Sequence, residues 1–131
     1  MDDDVYSITR NGRTLDRSKY SIDKVKKVFK TTVDNVVLNF TFCEGWTFET
    51  GRYCTFDTGA NCTFHTGAFC TFNTCSGCTF DVGDCCVILT YDVTSCKFIS
   101  YDGISVILDR YDKQRYVLDK DLINMLKVIH G

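Results

Sequence analysis

The sequence predicts a mainly β fold, a single-chain β-solenoid with two short strands in each coil. Three observations carry this. An eight-residue phrase recurs from residue 39 onward, most clearly in "CTFDTGANCTFHTGAFC" at residues 54–70. Inside each phrase apolar and polar residues alternate with the period of two that belongs to a strand. Proline is absent from all 131 residues, as expected where nearly every strand donates its N–H to a ladder.

Aligned in eights, the chain reads NFTFCEGW, TFETGRYC, TFDTGANC, TFHTGAFC, TFNTCSGC, TFDVGDCC and a decayed VILTYDVT. A fixed short period marks a stacked array in which each unit buries its face only against neighbours. Cys62 and Phe64 point one way, Thr63 and His65 the other. The Gly-Xaa-Xaa that follows is read as the corner, because glycine tolerates positive φ.

Two columns show how many octets close one coil. Before the repeated cysteine stand Gly45, Tyr53, Asn61, Phe69, Gly77 and Cys85, every second one a type that accepts left-handed backbone. The turn column, Cys43, Gly51, Gly59, Gly67, Cys75 and Gly83, also alternates. A superperiod of sixteen explains both. It predicts coils near 39–54, 55–70 and 71–86, with a partial fourth to about 102. Sixteen-residue coils also stack Glu49, His65, Asp81 and Lys97 in one outward column and place Asp57 beside Asn73. A period of twenty-four would set Asp57 against Asp81, a like-charge pair that costs stability.

Leu38, Trp46, Cys54, Cys62, Cys70, Cys78 and Cys86 share one phase, and Phe48, Phe56, Phe64, Phe72 and Phe80 share the other inward phase. A buried free cysteine behaves as a small apolar residue, so alternation with phenylalanine fills a narrow core. A zinc site at Cys75, Cys78, Cys85 and Cys86 is the rival reading, but a lone CxxC is a weak signal. No metal and no cofactor is expected.

Open solenoid ends need caps. Residues 1–38 are read as an N-terminal cap: a hairpin around Asn11-Gly12, then a short helix over "SIDKVKKVFK" with Ser21 as N-cap and Ile22, Val25, Val28 and Phe29 on one face. Residues 39–102 form the repeat solenoid, and 103–131 a C-terminal hairpin-helix cap, all in one folding unit. The hairpin turns near Asp112-Lys113. The helix over "DKDLINMLKVIH" is capped by Asp119 or Asp121, with Leu122, Met125, Leu126 and Ile129 buried. Val87 and Leu89 are apolar on an outward face, so a cover is expected there, either this hairpin or a second copy of the chain.

The totals bound the function. A hydrophobic fraction of 44% is that of a folded protein, and the opening MDDDVYS has no apolar signal region. No run of apolar residues is long enough for a membrane span. Nine cysteines, an odd number, fit reduced thiols in a cytoplasm. Net charge is −2, yet residues 41–96 carry Arg52 alone against Glu44, Glu49, Asp57, Asp81, Asp84 and Asp92. An acidic repeat disfavours direct nucleic-acid binding, which needs Lys and Arg for phosphate neutralisation. Catalytic motifs are absent, and His65 and Cys62 lie on opposite faces of their strand, so no catalytic residue is expected.

Around "CTFDTGANCTFHTGAFCTF" the chain resembles the Cys-Thr-Phe octapeptide-repeat proteins of bacteriophages and large viruses, most of them without assigned function. The resemblance covers residues 47–86 well, and it implies a phage or mobile-element origin rather than an activity. Together these features lead to the expectation of a non-enzymatic protein-interaction module. It would act in the host cytoplasm as a monomer or homodimer, with Glu49, Asp57, His65, Asn73 and Asp81 meeting a host or defence enzyme that processes nucleic acid. The alternative is a virion spike or fibre segment.

Overall fold

A computed structural model describes residues 6–99 and 103–130. Among them the chain forms strands β1 (Ser7–Arg10), β2 (Arg13–Thr14), β3 (Tyr20–Asp23), β4 (Val28–Thr31), β5 (Val36–Phe40), β6 (Thr47–Glu49), β7 (Thr55–Thr58) and β8 (Thr63–His65). They are followed by β9 (Thr71–Asn73), β10 (Thr79–Asp81), β11 (Val87–Thr90), β12 (Lys97–Phe98), β13 (Val106–Asp109), β14 (Gln114–Val117) and helix α1 (Lys120–His130). From β4 to β13 successive strands alternate between two sheets. One has the order β14-β13-β11-β9-β7-β5-β1-β2, the other β12-β10-β8-β6-β4-β3. The protein is a two-sheet β-solenoid.

The register is that of sixteen-residue coils through the repeat. Thr55 pairs with Thr71 and Thr71 with Val87; Thr47 pairs with Thr63 and Thr63 with Thr79, all in parallel. Asp57 lies beside Asn73, as the sixteen-residue reading requires. The flanking coils are longer. Val37 pairs with Thr55, Val28 with Thr47, Thr79 with Lys97 and Val87 with Val106. The parallel stack therefore begins at β4 and ends at β13, taking in strands from both segments read as caps. The end of the partial coil near residue 102 lies outside the described residues.

The core is a zipper of rings. Phe48, Phe64 and Phe80 stack along one sheet at 5.4 and 5.2 Å, and Phe56 stacks on Phe72 at 4.9 Å, with near-parallel planes. Across the core the contacts turn edge-on: Phe56–Phe64 at 5.2 Å and 73°, Phe64–Phe72 at 5.0 Å and 68°. Offset stacking and edge-to-face contact are the two arrangements that the ring quadrupole favours. Leu38 belongs to this column, because it pairs with Phe56, and not to the cysteine column. The longer first coil moves it by two positions, and Val36 stands in line with Cys54 instead.

Both corner types differ from expectation. Every residue before a repeated cysteine is left-handed, Tyr53, Asn61, Phe69 and Cys85 (φ 56–60°) as well as Gly45 and Gly77. The alternating residue types therefore do not report alternating backbone. The turn glycines Gly51, Gly59, Gly67 and Gly83 do not have positive φ. They are glycine because each corner rests on the one beneath. A Cβ on Gly83 would lie 2.6 Å from the Ala68 nitrogen and 2.8 Å from the Gly67 carbonyl carbon.

The segment 21–30 is a hairpin, β3–β4, not a helix. Asp23 Oδ1 accepts the N–H groups of Val25 and Lys26 at 3.0 Å, and Lys27 completes the turn at φ 58°. Val25, expected on a buried helical face, is 94% exposed at its tip. A ten-residue helix gains little by itself, whereas β4 gains a ladder with β6 and sets Phe29 against Phe48. Tyr6 stacks on Phe40 at 4.8 Å and Tyr20 on Phe29 at 5.4 Å, closing the N-terminal end of the core.

At the other end β13 and β14 extend the larger sheet as the expected hairpin, with Lys113 at φ 57° in its turn. They do not fold over Val87 and Leu89; Val87 stays 42% exposed. Helix α1 covers the end of the core instead. Asp119 Oδ1 caps it by accepting the Leu122 N–H at 2.9 Å, and Leu122 and Leu126 are buried with Ile123 beside them. Met125 and Ile129, expected in the buried stripe, are 39% and 52% exposed.

Gly83→Ala is expected to cost roughly 2 kcal/mol or more, because only backbone can yield to its Cβ. Gly45→Ala, left-handed at φ 75° but with open space around it, should cost about 1–2 kcal/mol. Thermal melts of the two variants check the order.

Candidate interaction surface

The outward residues of the repeat form two faces on opposite sides of the solenoid. Glu49, His65 and Asp81 lie in one column on the smaller sheet. Asp57 and Asn73 lie on the larger sheet. The structure thus divides the five expected contact residues three and two.

In the first column the partners alternate as expected, but its fourth member is different. Lys30 Nζ sits 3.3 Å from Glu49 Oε2, and His65 Nδ1 sits 3.3 Å from Asp81 Oδ2. Lys97 is two positions out of line and pairs with Thr79. The cause is the 3₁₀ turn Val93–Ser95, held by Asp92 Oδ1 accepting the Thr94 N–H, which lengthens that coil. Lys30, from the β3–β4 hairpin, supplies the cation at the other end.

Where the β3–β4 hairpin leans over this column, Ser18, Lys19, Tyr20, Lys30, Glu49 and His65 line an open depression of about 620 Å³. It brings two of the expected residues, Glu49 and His65, to one place with hydroxyls and ammonium groups. Both ion pairs are about half exposed, so they order the surface more than they stabilise it.

One surface feature lies outside the five expected contact residues. Tyr53 and Phe69, 49% and 43% exposed, stack at 5.1 Å with planes 7° apart. The Arg52 guanidinium lies 5.7 and 5.9 Å from their ring centres. The signal was present in the column before the cysteines, where aromatic residues recur every sixteen. Arg52, the one cation of the central repeat, is therefore held at a corner and not on either face.

The cysteines form two rows: Cys54, Cys70 and Cys86 along one edge of the core, Cys62, Cys78 and Cys96 along the other. All six are at most 1% exposed. Their sulfurs are not merely apolar filler. Cys70 Sγ donates to the Gly51 and Ala68 carbonyls at 3.6 and 3.7 Å, and Cys62 Sγ to those of Cys43 and Ala60 at 3.6 Å. In return each sulfur faces the backbone N–H one coil below: Val36 to Cys54, Trp46 to Cys62, Cys54 to Cys70, Cys62 to Cys78, Cys70 to Cys86 and Cys78 to Cys96. Ser105 stands in the same line after Cys86, and its Oγ accepts the Cys86 N–H at 3.1 Å. Hydrogen bonding to Cys62 together with burial pushes the Cys78 thiol far up, and Cys70 and burial do the same to Cys54.

Cys75 and Cys85 are exposed, while Cys78 and Cys86 point inward in different rows. The four do not converge, and no group of three or more metal-ligating side chains is gathered among the described residues. In the same residues no helix is long and apolar enough to cross a membrane. No protein-family model, no curated protein and no solved structure matches the chain.

Two measurements test the thiol rows. Cys70→Ala removes the acceptor of the Cys54 N–H and should cost about 1–3 kcal/mol for the orphaned donor plus a small cavity. Cys70→Ser keeps the acceptor and should melt closer to the parent than Cys70→Val; the reverse order would mean that packing alone fills the position. A thiol-reactive dye should modify Cys75 and Cys85 at once and the seven buried cysteines only on unfolding.

Proposed function

We propose that this protein is a non-enzymatic interaction module, encoded by a phage or mobile element. Its partner is a host or defence protein, of the class that processes nucleic acid. The observation that carries the reading is the polar depression on the smaller sheet. It is wide and open, its Glu49 and His65 are anchored to a rigid ladder, and it adjoins Asp81 in a repeat whose own charges are six acids to one base. Such a surface suits a flat or protruding partner segment better than a small substrate, which is normally enclosed.

Rigidity supports the same reading. Strands held in register on both sides present their outward groups about 4.8 Å apart, with little ordering left to be lost on binding. Glu49 and Asp81 can exchange their exposed pairing with Lys30 and His65 for the cations of the basic groove in which a nucleic-acid enzyme holds phosphates. Each coil closes within one chain, which supports a module of this kind over an intertwined virion spike.

Affinity capture from a host lysate tests the proposal. The parent protein should enrich a basic partner, and capture should fall about tenfold or more in Glu49→Lys/Asp81→Lys and weaken as salt rises. Recovery of the same proteins by the charge-reversed variant would exclude this face.

A further inference from the structure

The outward face of the larger sheet is unlike the rest of the surface. Its first row runs Val37, Thr55, Thr71, Val87, Val106 and Val117 across β5, β7, β9, β11, β13 and β14, all β-branched and uncharged. Its second row runs Asn39, Asp57, Asn73, Leu89, Leu108 and Arg115. The last three strands thus carry five aliphatic side chains side by side. Val87, Leu108 and Val117 remain 42%, 37% and 40% exposed. The C-terminal hairpin, which was expected to cover Val87 and Leu89, instead adds three residues to the patch.

We infer that this face pairs with a second copy of the same chain, around a two-fold axis that runs along β11. The order of residues decides the occupant. Rotation about β11 brings β14 over β7 of the partner and β13 over β9. Val87 and Leu89 then meet their own copies on the axis. Val106 meets Thr71, and Val117 meets Thr55. Arg115 meets Asp57, twice in the dimer, with no like-charged pair anywhere in the two rows. A surface that is complementary to itself in both shape and charge is what an isologous contact needs.

The margin of the patch is already prepared for burial. Arg110 lies along the sheet and donates to Asn73 Oδ1 at 2.9 Å and to the Thr74 carbonyl. Asn73, which faces Leu108 in the pair, therefore keeps a partner when water is excluded. Flat faces of parallel-stacked strands also approach closely, since neither sheet has side chains longer than leucine on the axis. The footprint of five strands by four residues is roughly 300 Å² on each copy, from strand spacing and rise. That is well under the ~800 Å² per partner of a standard stable complex, so the pair is a weak, concentration-dependent one.

Sedimentation of the purified full chain from tens of micromolar to about one millimolar tests it. The parent protein should move from monomer towards dimer across that range. Val87→Lys, on the axis, should weaken association by at least about tenfold. Asp57→Arg and Arg115→Asp should each weaken it, and the double variant should recover it to within about threefold, because both cross-pairs are restored with reversed sign. Unchanged thermal melts establish that each variant is folded. A parent protein that stays monomeric at the top of the range overturns the inference. So does a dimer indifferent to Val87→Lys, or a charge swap that fails to rescue.

Discussion

Everything in this fold depends on what happens to the backbone at the corners. From Gly45 to Cys85 each corner passes through a left-handed residue, and the N–H of the residue that follows is directed at the neighbouring coil. Inside a closed core that donor has no water to turn to, and an orphaned buried donor costs more than most contacts return. The chain meets the requirement by placing a sulfur, one coil further on, where the donor points. The same sulfur then gives its own proton to a corner carbonyl. A cysteine is small enough to lie between phenyl rings and is still a weak donor and acceptor. The repeat keeps cysteine because packing and hydrogen bonding ask for the same residue. Ser105 makes the case from the other direction: where the aromatic zipper ends and space is less critical, an oxygen takes over the acceptor's place.

The rings supply the complementary constraint. Parallel strands in register force identical side chains to lie one above another, and phenylalanine turns that into a stack within each sheet. The opposite sheet is offset by half a coil, so its rings enter edge-on. Neither sheet is stable alone at three residues per strand. Together they bury Phe48, Phe56, Phe64, Phe72 and Phe80 completely, and this allows strands so short to hold a register. The tight corner glycines belong to the same economy: coils can approach to strand spacing only if nothing projects between successive corners.

Much of this was legible in the sequence, and the errors of register share a cause. The sixteen-residue coil, the inward phenylalanines and the position of Asp57 beside Asn73 all follow from periodicity, which a repeat states many times over. Mistakes fell where the period lapses. Lys97, Leu38 and the segment 21–30 all lie in the longer end coils, where two or three extra residues shift every later side chain. Ile22, Val25, Val28 and Phe29 are spaced as well for a helix as for a hairpin, and only the free edge of β6 decides between them. Asp23 carried a local hint, since an Asp that bonds two residues ahead opens a turn. The left-handed Tyr53 and Phe69 were unreadable for a different reason. Their stack with Arg52 offsets a backbone cost that residue type alone would have forbidden.

The same logic separates the two faces. On the smaller sheet an outward charge meets its neighbour in the next coil, so Lys30–Glu49 and His65–Asp81 close on themselves and leave a polar, hydrated surface. On the larger sheet Asp57 lies between Asn39 and Asn73, and Arg115 stands two strands beyond Asn73's Leu89, too far along the ladder for the two charges to meet within one chain. A sheet with acid near one end, base at the other and valine between is polarised along its width. Water solvates both charges in the single chain, and a half-turn about the central strand would bring each against its opposite. The two faces thus differ in kind: the charges of one close within the chain, and those of the other stand apart across the sheet. One short repeat supports both, because each octet contributes to a different side.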